Sequence, residues 1–181
     1  MRATLLAAAV RLFARQGYSA TSIRALALEA GVAVGLLYHY FPSKDAVLAA
    51  LMADAMADVQ LTFEAARQEP TAAGFVRALL RSAGEQLHAH REAWQLSYGL
   101  RHQPEVIEGS ERAVRQARVT MLGFLEKALR KRGVPRPKVE AEVLFALVDG
   151  ISQQVVQRPR DYPLKVVIDQ VAARYEARSP R

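Results

Sequence analysis

The chain has 181 residues, 51% of them apolar, and its 25 Lys and Arg residues against 18 Asp and Glu residues give a net charge of +7. This apolar content supports a packed core and excludes global disorder, and the absence of cysteine excludes disulfides and thiolate metal sites. The basic balance favours an anionic partner such as nucleic acid.

Helical periodicity starts at the N-terminus and predicts three short helices followed by a long one. The first helix has one apolar face, formed by Leu5, Leu6, Ala9, Leu12 and Phe13. It ends at Gly17, which is expected to be a left-handed cap. Thr21 or Ser22 can cap the second helix, and Ser43 can cap the fourth. The predicted helices cover about residues 4–16, 22–30, 34–40 and 44–67.

The rest of the chain also predicts helices, with no strand pattern and no repeat. They cover about residues 71–88, 91–102, 104–132, 138–157 and 163–177, the last with Pro163 in its first turn. The N-terminal stretch could pass for a targeting signal, but Arg11 and Arg15 interrupt its apolar run. No apolar run approaches about 18 residues, so no membrane span is expected.

Residues 27–37 have the spacing of a helix-turn-helix. Ala27 is small enough for a second helix to cross it closely, and Gly31 tolerates a positive φ at the turn. Leu37 is the apolar residue of the second helix that points back into the pair. The second helix of such a motif can lie in the major groove of DNA.

A longer stretch, from Leu5 to Leu51, resembles the DNA-binding domain of the TetR (tetracycline repressor) family. The match is carried by the segments LF…GY (12–18), TSI (21–23), AGV (30–32) and GLLYHYF followed by SK (35–44). The resemblance implies an all-α protein with an N-terminal three-helix helix-turn-helix domain at residues 1–50. It implies a C-terminal helical domain for ligand sensing and dimerisation at residues 51–181.

Polar and aromatic residues of the first domain are the candidates for DNA contact. Tyr38 and His39 can reach phosphates or base edges, and Lys44 at a helix N-terminus can hold a phosphate. Thr21 and Ser22 can do the same at the start of the second helix, assisted by Arg24. Family resemblance places Tyr40 near a phosphate, whereas its helical phase turns part of the ring inward. The alternative is that these aromatic side chains only form core.

The start of the third helix departs from the common family pattern. Ala33, Val34, Gly35 and Leu36 offer few hydrogen-bond donors, and Ala33 leaves the helix without a side-chain cap. We therefore expect Val34 and Leu36 to contact thymine methyl groups, Gly35 to allow close backbone approach, and DNA shape to contribute to specificity. A basic N-terminal arm is also missing, so either the arm is absent or the true start lies upstream.

The family resemblance implies a ligand cavity among the later helices. Large aromatic and methionine side chains suit an apolar or mixed ligand, although for any one of them alone a place in a packed core is the better explanation. Asp149, inside an apolar run, is expected to face water, a partner subunit or a ligand cation. The candidate ligand-binding residues are Met56, Phe63, Phe75, Trp94, Tyr98, Arg101, Met121, Phe124, Phe145, Asp149 and Gln153, with His102 and Gln95 as further polar groups.

The expected function is a cytoplasmic, ligand-responsive transcriptional repressor without a cofactor. Gly150 and the last helix are expected to form a homodimer contact, which presents two recognition helices about 34 Å apart to a palindromic double-stranded operator. An enzyme is not expected, because the sequence has no phosphate loop and no nucleophile elbow. His88 and His90 are two residues apart, so on a helix they point away from one another and make a poor metal pair. A helical small-molecule carrier without operator binding and an activator of the same fold remain alternatives.

Overall fold

The computed structural model describes residues 1–100 and 104–176, and for residue 100 and residues 104–114 it describes the backbone alone. The described residues form helices joined by short turns, without a strand, which confirms the predicted all-α class. In chain order the helices are α1 (Arg2–Gln16), α2 (Ile23–Glu29), α3 (Val34–Tyr40), α4 (Lys44–Arg67), α5 (Ala72–Ala89), α6 (Arg91–Leu100), α7 (Pro104–Lys131), α8 (Pro137–Gln157) and α9 (Leu164–Glu176).

The predicted helix starts depend on side-chain caps, and two of them are observed. The hydroxyl of Ser22 accepts a hydrogen bond from the backbone N–H of Ala25 at 3.1 Å, and Ser43 accepts one from Ala46 at 3.1 Å. The side chain of Ala33 makes no cap hydrogen bond, as predicted. Each cap satisfies a backbone donor that the helix itself leaves unpaired.

Three details of the prediction need correction. The first helix begins at Arg2 rather than at residue 4. Gly17 has φ 84° and ψ 162°, so it needs the positive φ of glycine but is extended rather than left-handed helical. Pro163 directly precedes α9, which begins at Leu164. Its carbonyl accepts a hydrogen bond from the N–H of Val167 at 3.0 Å, as the residue just before a helix does. The predicted ends of the sixth and ninth helices, at residues 102 and 177, lie outside the described residues.

The chain divides into two compact units, each of which draws on two separate segments. The first consists of Met1–Ala57 and His90–Glu108, and the second of Asp58–Ala89 and Gly109–Arg181. Helix α6, which the sequence placed in the C-terminal domain, therefore packs with the N-terminal helices. The functional division into residues 1–50 and 51–181 stays a prediction.

The core of the first unit is built from the apolar faces of its short helices. The α1 face predicted from the sequence is buried, and Ala27, Leu37 and Leu96 add residues from α2, α3 and α6. Ala27 and Leu37 are each 1% exposed, which confirms their predicted place at the crossing of α2 and α3. This core fixes α3 relative to α1 and α2.

The second unit has a core between α5 and the helices α8 and α9. Phe75 and Val76 of α5 are fully buried, as is Leu144 of α8, and Tyr175 of α9 is 2% exposed. Gly84 lies where α5 and α9 approach closely, since a Cβ there would come within 2.6 Å of Leu164 Cδ2. Close packing of this kind makes α5 the central helix of the unit.

Arg132, just after α7, holds the C-terminal end of α4. Its guanidinium donates hydrogen bonds to the carbonyls of Arg67 (3.2 Å), Glu69 (2.5 and 3.0 Å) and Ala128 (2.8 Å). It also lies 4.4 Å from the centre of the Phe75 ring. Since the last carbonyls of a helix have no partner within the helix, this side chain acts as the missing donor.

Among the described residues one helix, α4, is long and apolar enough to cross a membrane by length and composition alone, with a mean hydropathy of 1.4. From the sequence, no helix long and apolar enough to span a membrane is expected. The test is weak evidence for a membrane span, because core helices of water-soluble proteins also pass it. Both ends of α4 are hydrogen bonded within folded units, at Lys44 and at Arg67.

Candidate nucleic-acid interface

The turn between α2 and α3 has the geometry of a helix-turn-helix. Gly31 has φ 67°, which a residue with a side chain rarely adopts, and the N–H of Val32 donates to the Ala27 carbonyl at 3.0 Å. Leu37 and Phe41, four residues apart, are 1% and 5% exposed, so both side chains point into the core. The opposite face of α3 is thereby turned to solvent.

That solvent face of α3 carries large side chains that the core does not use. Tyr38 is 52% exposed and Tyr40 is 40% exposed, and Leu36 is 36% exposed. His39 is also exposed, and its ring meets that of Tyr40 edge to face at 5.4 Å. These aromatic and aliphatic side chains keep a large part of their surface open to solvent, which leaves it available for a partner.

The N-terminal turn of α3 is open as well. Ala33 and Gly35 are exposed, Val34 is half-buried, and no described neighbour lies within 4 Å of the position that a Cβ on Gly35 would take. Backbone and methyl groups can therefore approach a surface closely at this end of the helix. The described geometry is compatible with the predicted apolar readout of thymine, which stays a prediction.

The candidate DNA-binding residues at the start of α2 differ in their exposure to solvent. Ser22 and Arg24 are exposed, and among the described side chains Arg24 has no acidic partner. Thr21 is 3% exposed, and its hydroxyl donates to the Gly17 carbonyl at 2.7 Å and accepts from Gln16 Nε2 at 3.2 Å. Thr21 thus holds the turn before α2, because its hydroxyl is used inside the protein and cannot serve the predicted phosphate contact.

The three arginines of α1 are paired with acids. Arg11 and Arg15 both contact Glu29, at 3.1 and 2.7 Å, and Arg2 contacts Asp54 at 3.4 Å. The hydrogen bonds from Arg15 and then Arg11 hold the pKa of Glu29 below its ordinary value. These pairs tie α1 to α2 and to α4, and they distinguish Arg24 as a cation that is open to an anion.

The sequence predicted that Lys44 holds a phosphate, whereas in the structure its ammonium contacts the turn before α2. Its ammonium donates to the carbonyls of Tyr18 at 2.8 Å and Ser19 at 3.3 Å, and it lies 4.3 Å from the centre of the Tyr18 ring. Beside it, the Tyr18 hydroxyl donates to Asp45. Burial, and then this hydrogen bond, raise the pKa of Tyr18. Sequence reasoning missed this cluster, because no local pattern indicates that residues 18 and 44 meet.

The candidate ligand-binding residues lie in both units. Met56, Trp94 and Tyr98 belong to the first, where the two rings of α6 are 6.1 Å apart. In the second, the Phe124 ring lies 4.3 Å from Phe63 and 6.4 Å from Phe75. Met121, Phe145, Asp149 and Gln153 are half-buried. Arg101 and His102 lie outside the described residues.

Each unit contains a cavity lined by described residues. One of about 300 Å³ in the first unit is lined by Phe13, Ala14, Gly17, Gln95, Leu96 and Gly99. The other, a groove of about 500 Å³, runs between α8 and α9 and is lined by residues that include Gly150 and Val166. Gln95 lines the first cavity, whereas none of the other candidates that the structure describes lines either one. The predicted ligand site therefore stays a prediction.

Comparison with known proteins places this geometry in a class. Residues 5–51 match the family described as "Bacterial regulatory proteins, tetR family". The chain is 29% identical over 150 residues to the uncharacterized HTH-type transcriptional regulator YuxN of Bacillus subtilis (strain 168), an alignment that covers 80% of this chain and 50% of that protein. The chain thus spans about half the length of this curated relative.

Solved structures share the fold across the whole chain. The fatty acid degradation regulator FadR from Bacillus halodurans has a TM-score of 0.73 and 20% identity, covering 95% of this chain and 92% of that one. The SmeT–triclosan complex has a TM-score of 0.74 and 23% identity, covering 96% and 90%. At these identities the likeness shows the fold alone.

The exposed α3 behind a tight glycine turn, among described residues that form helices and no strand, places this part of the chain in the helix-turn-helix class. Within that class the match at residues 5–51 is to one family. The likeness to the TetR family is shown for these residues alone.

Proposed function

We propose that the protein is a DNA-binding transcriptional repressor that a small molecule releases from its operator. The observation that carries the proposal is the exposed row on α3, where Leu36, Tyr38, His39 and Tyr40 face solvent while Leu37 and Phe41 are buried. Such a helix can enter the major groove, while Ser22 and Arg24 at the start of α2 reach the phosphates. The family match also favours a regulator over an enzyme.

Fluorescence anisotropy tests the DNA-binding part of the proposal. An operator is sought first in the DNA upstream of the protein's own gene, and selection from random duplexes supplies one if that search fails. We expect selective binding over a scrambled duplex, weakening steeply with salt. Tyr38→Ala is expected to lose about tenfold in affinity, and Arg24→Ala to lose affinity with a salt slope smaller by about 0.9.

Arg160→Ala is the matched control for Arg24→Ala. It removes the same charge from an exposed position in the second unit, and it is expected to leave affinity unchanged. Equal weak binding of the wild-type protein to operator and scrambled duplex would overturn the repressor proposal. That outcome would favour a helical carrier that binds small molecules without an operator.

We infer a homodimer from the groove between α8 and α9. Its lining is mostly apolar and also includes Gln154, Gln170 and Arg174. Val166 in this lining is 61% exposed, and Val143 of α8 is 45% exposed. A Cβ built on Gly150 would have no described neighbour of its own chain within 4 Å, so a second copy could approach it closely. Sedimentation velocity is expected to report a dimer for wild type and a monomer for Val166→Glu, while Lys165→Glu, at an exposed neighbouring position, serves as the control.

The effector that we propose is apolar or mixed in character and binds among the later helices in the cytoplasm. Support comes from the contact of Phe63 with Phe124 and from the half-buried Met121, since aromatic and thioether side chains can repack around such a ligand. The half-buried polar groups of Asp149 and Gln153, which belong to the same unit, would orient it. Triclosan and long-chain fatty acids are the first probes, because the two structural relatives are described with triclosan and with fatty acid degradation. Release of operator DNA by either probe, weakened in Phe124→Ala, is the expected result, and no release by a broad apolar panel would contradict it.

A further inference from the structure

Four consecutive residues, Ala33–Leu36, carry no polar side-chain atom and are here called the aliphatic segment. Ala33 immediately precedes α3, and the other three begin it. Ala33 and Gly35 are exposed. Leu36 is 36% exposed, whereas Val34 is half-buried. Because an α-helix turns by about 100° per residue, Leu36 and Gly35 lie about 100° and 200° around the helix from the buried Leu37. The segment therefore presents only hydrocarbon and backbone to a partner.

The core of the first unit holds the aliphatic segment in place. Val34 packs against this core, and Leu37, directly after the segment, is 1% exposed. The N–H groups of Leu36 and Leu37 donate to the Ala33 carbonyl at 3.0 and 3.3 Å. A Cβ on Gly35 would have no described neighbour within 4 Å, so the backbone there can lie close to a partner. A surface fixed in this way cannot collapse onto a gap, so the loss of a methyl group from the partner is not compensated by rearrangement.

Hydrocarbon recognises one group in the major groove of DNA, the C5-methyl of a pyrimidine. The other features of the base edges there are hydrogen-bond donors and acceptors, which side chains without polar atoms cannot match. Thymine carries this methyl, and 5-methylcytosine carries it at the same ring position, whereas unmodified cytosine and deoxyuridine lack it. To the aliphatic segment, a thymine·adenine pair and a 5-methylcytosine·guanine pair are therefore alike.

The polar side chains of α3 come after the aliphatic segment. Tyr38 and Tyr40 are 52% and 40% exposed, and the exposed His39 ring meets the Tyr40 ring edge to face at 5.4 Å. At least half of the hydrogen bonds in protein–DNA interfaces go to phosphates and sugars, which carry no sequence information. These three side chains can therefore bind the operator backbone while the aliphatic segment contacts the base edges.

We propose, on the basis of the proposed DNA-binding function, that the aliphatic segment reads the C5-methyl group itself rather than the base pair that carries it. A 5-methylcytosine·guanine pair then binds as well as the thymine·adenine pair that it replaces. Methylation of an operator cytosine that lies against the segment strengthens binding about fourfold, which corresponds to the burial of one methyl group. Cytosine C5-methylation of the operator would thus tighten repression.

The first experiment compares four versions of each operator thymine pair by fluorescence anisotropy. Deoxyuridine·adenine removes the methyl alone, cytosine·guanine also changes the hydrogen-bonding groups, and 5-methylcytosine·guanine restores the methyl on the changed pair. Where the segment contacts the methyl, we expect affinity to fall about fourfold with deoxyuridine and at least as far with cytosine, and to return to the thymine value with 5-methylcytosine. If 5-methylcytosine binds as weakly as cytosine at every position where deoxyuridine weakens binding, a polar group reads those pairs and the proposal is wrong.

The second experiment identifies the reader, because a methyl group also alters the shape of the DNA itself. The four duplexes are measured again with Leu36→Ala and Val34→Ala, which completes a double-mutant cycle between side chain and base. Leu36 is partly exposed and alanine favours helix, so Leu36→Ala should fold. The preference for the methyl is expected to disappear at the positions that the removed side chain contacts. Leu28→Ala is the matched control, since Leu28 on α2 is 83% exposed, and it should keep the wild-type preference throughout. Retention of the full preference by both α3 variants would assign it to the DNA and overturn the proposal.

The proposed function and the methyl reading fail in different measurements. Selective operator binding in which deoxyuridine has no effect at any thymine would disprove the methyl reading and leave the proposed function intact. A wild-type protein that binds operator and scrambled duplex equally would disprove the proposed function, and the methyl reading would fall with it.

Discussion

Replacing Arg132 by methionine is expected to destabilise the second unit substantially. The guanidinium satisfies carbonyls of Arg67, Glu69 and Ala128, and methionine keeps the apolar stem over Phe75 while removing every donor. A net hydrogen bond from a charged donor contributes about 1.5–3 kcal/mol, and bonds that share one half-buried side chain do not add. We therefore expect a loss of about 2–4 kcal/mol in the free energy of unfolding. Burial lowers the pKa of Arg132, and the group nevertheless stays charged at neutral pH.

Urea unfolding followed by far-ultraviolet circular dichroism measures this loss. Arg132→Lys retains one charge and can reach fewer carbonyls, so its stability should lie between those of wild type and Arg132→Met. Arg130→Met is the matched control, since the Arg130 side chain is 68% exposed and pairs with Glu126 four residues earlier on the same helix; it should cost no more than about 0.5 kcal/mol. An Arg132→Met protein as stable as the Arg130→Met protein would refute the inference that Arg132 caps α4.

Two further outcomes follow from the first unit. Arg15 and Arg11 lower the pKa of Glu29 below its ordinary value of 4.5, so the stability that Glu29 contributes is present above pH 4.5 and is lost as the pH falls through the lowered pKa. Acid unfolding of wild type should therefore be steeper than that of Glu29→Gln. Parallel unfolding curves would contradict the pairing. If Val34 and Leu36 read thymine methyl groups, replacing operator thymines by deoxyuridine should weaken binding about fourfold for each contacted methyl, whereas the same replacement in the flanks should have no effect.

The sequence predicted the helices well because their signals are local. The bounds of α3 and α4 coincide with the observed ones, since Ser43 and Pro42 mark the boundary between them and no tertiary contact is needed to interpret it. Apolar periodicity likewise identified the buried face of α1. The crossing of α2 and α3 was predicted from Ala27, Gly31 and Leu37, whose sizes and backbone freedom restrict the geometry directly.

Side-chain roles were harder to predict, because they depend on which segments meet in the fold. Thr21 and Lys44 both have the residue type expected at a phosphate, and in the structure both are used to brace the turn before α2. Arg132 looked like one member of a basic run at the end of a helix, whereas its neighbour Arg130 is exposed and Arg132 reaches back to α4. Nothing in the spacing of these residues distinguishes the two arginines.

The two ends of α4 are held by the same chemistry. At its start the Lys44 ammonium binds carbonyls of the turn before α2, and at its end the Arg132 guanidinium binds the carbonyls of Arg67 and Glu69. A long cationic side chain on a backbone carbonyl resists displacement along the helix, yet its stem allows a change in angle more readily than close apolar packing does. If an effector acts by changing the angle of α4, these contacts need not break, so the coupling of about 1–3 kcal/mol that is typical between two sites is enough. The turn before α2, whose carbonyls at Tyr18 and Ser19 accept hydrogen bonds from Lys44, would then move with the start of α4, and with it the phosphate contacts proposed for Ser22 and Arg24.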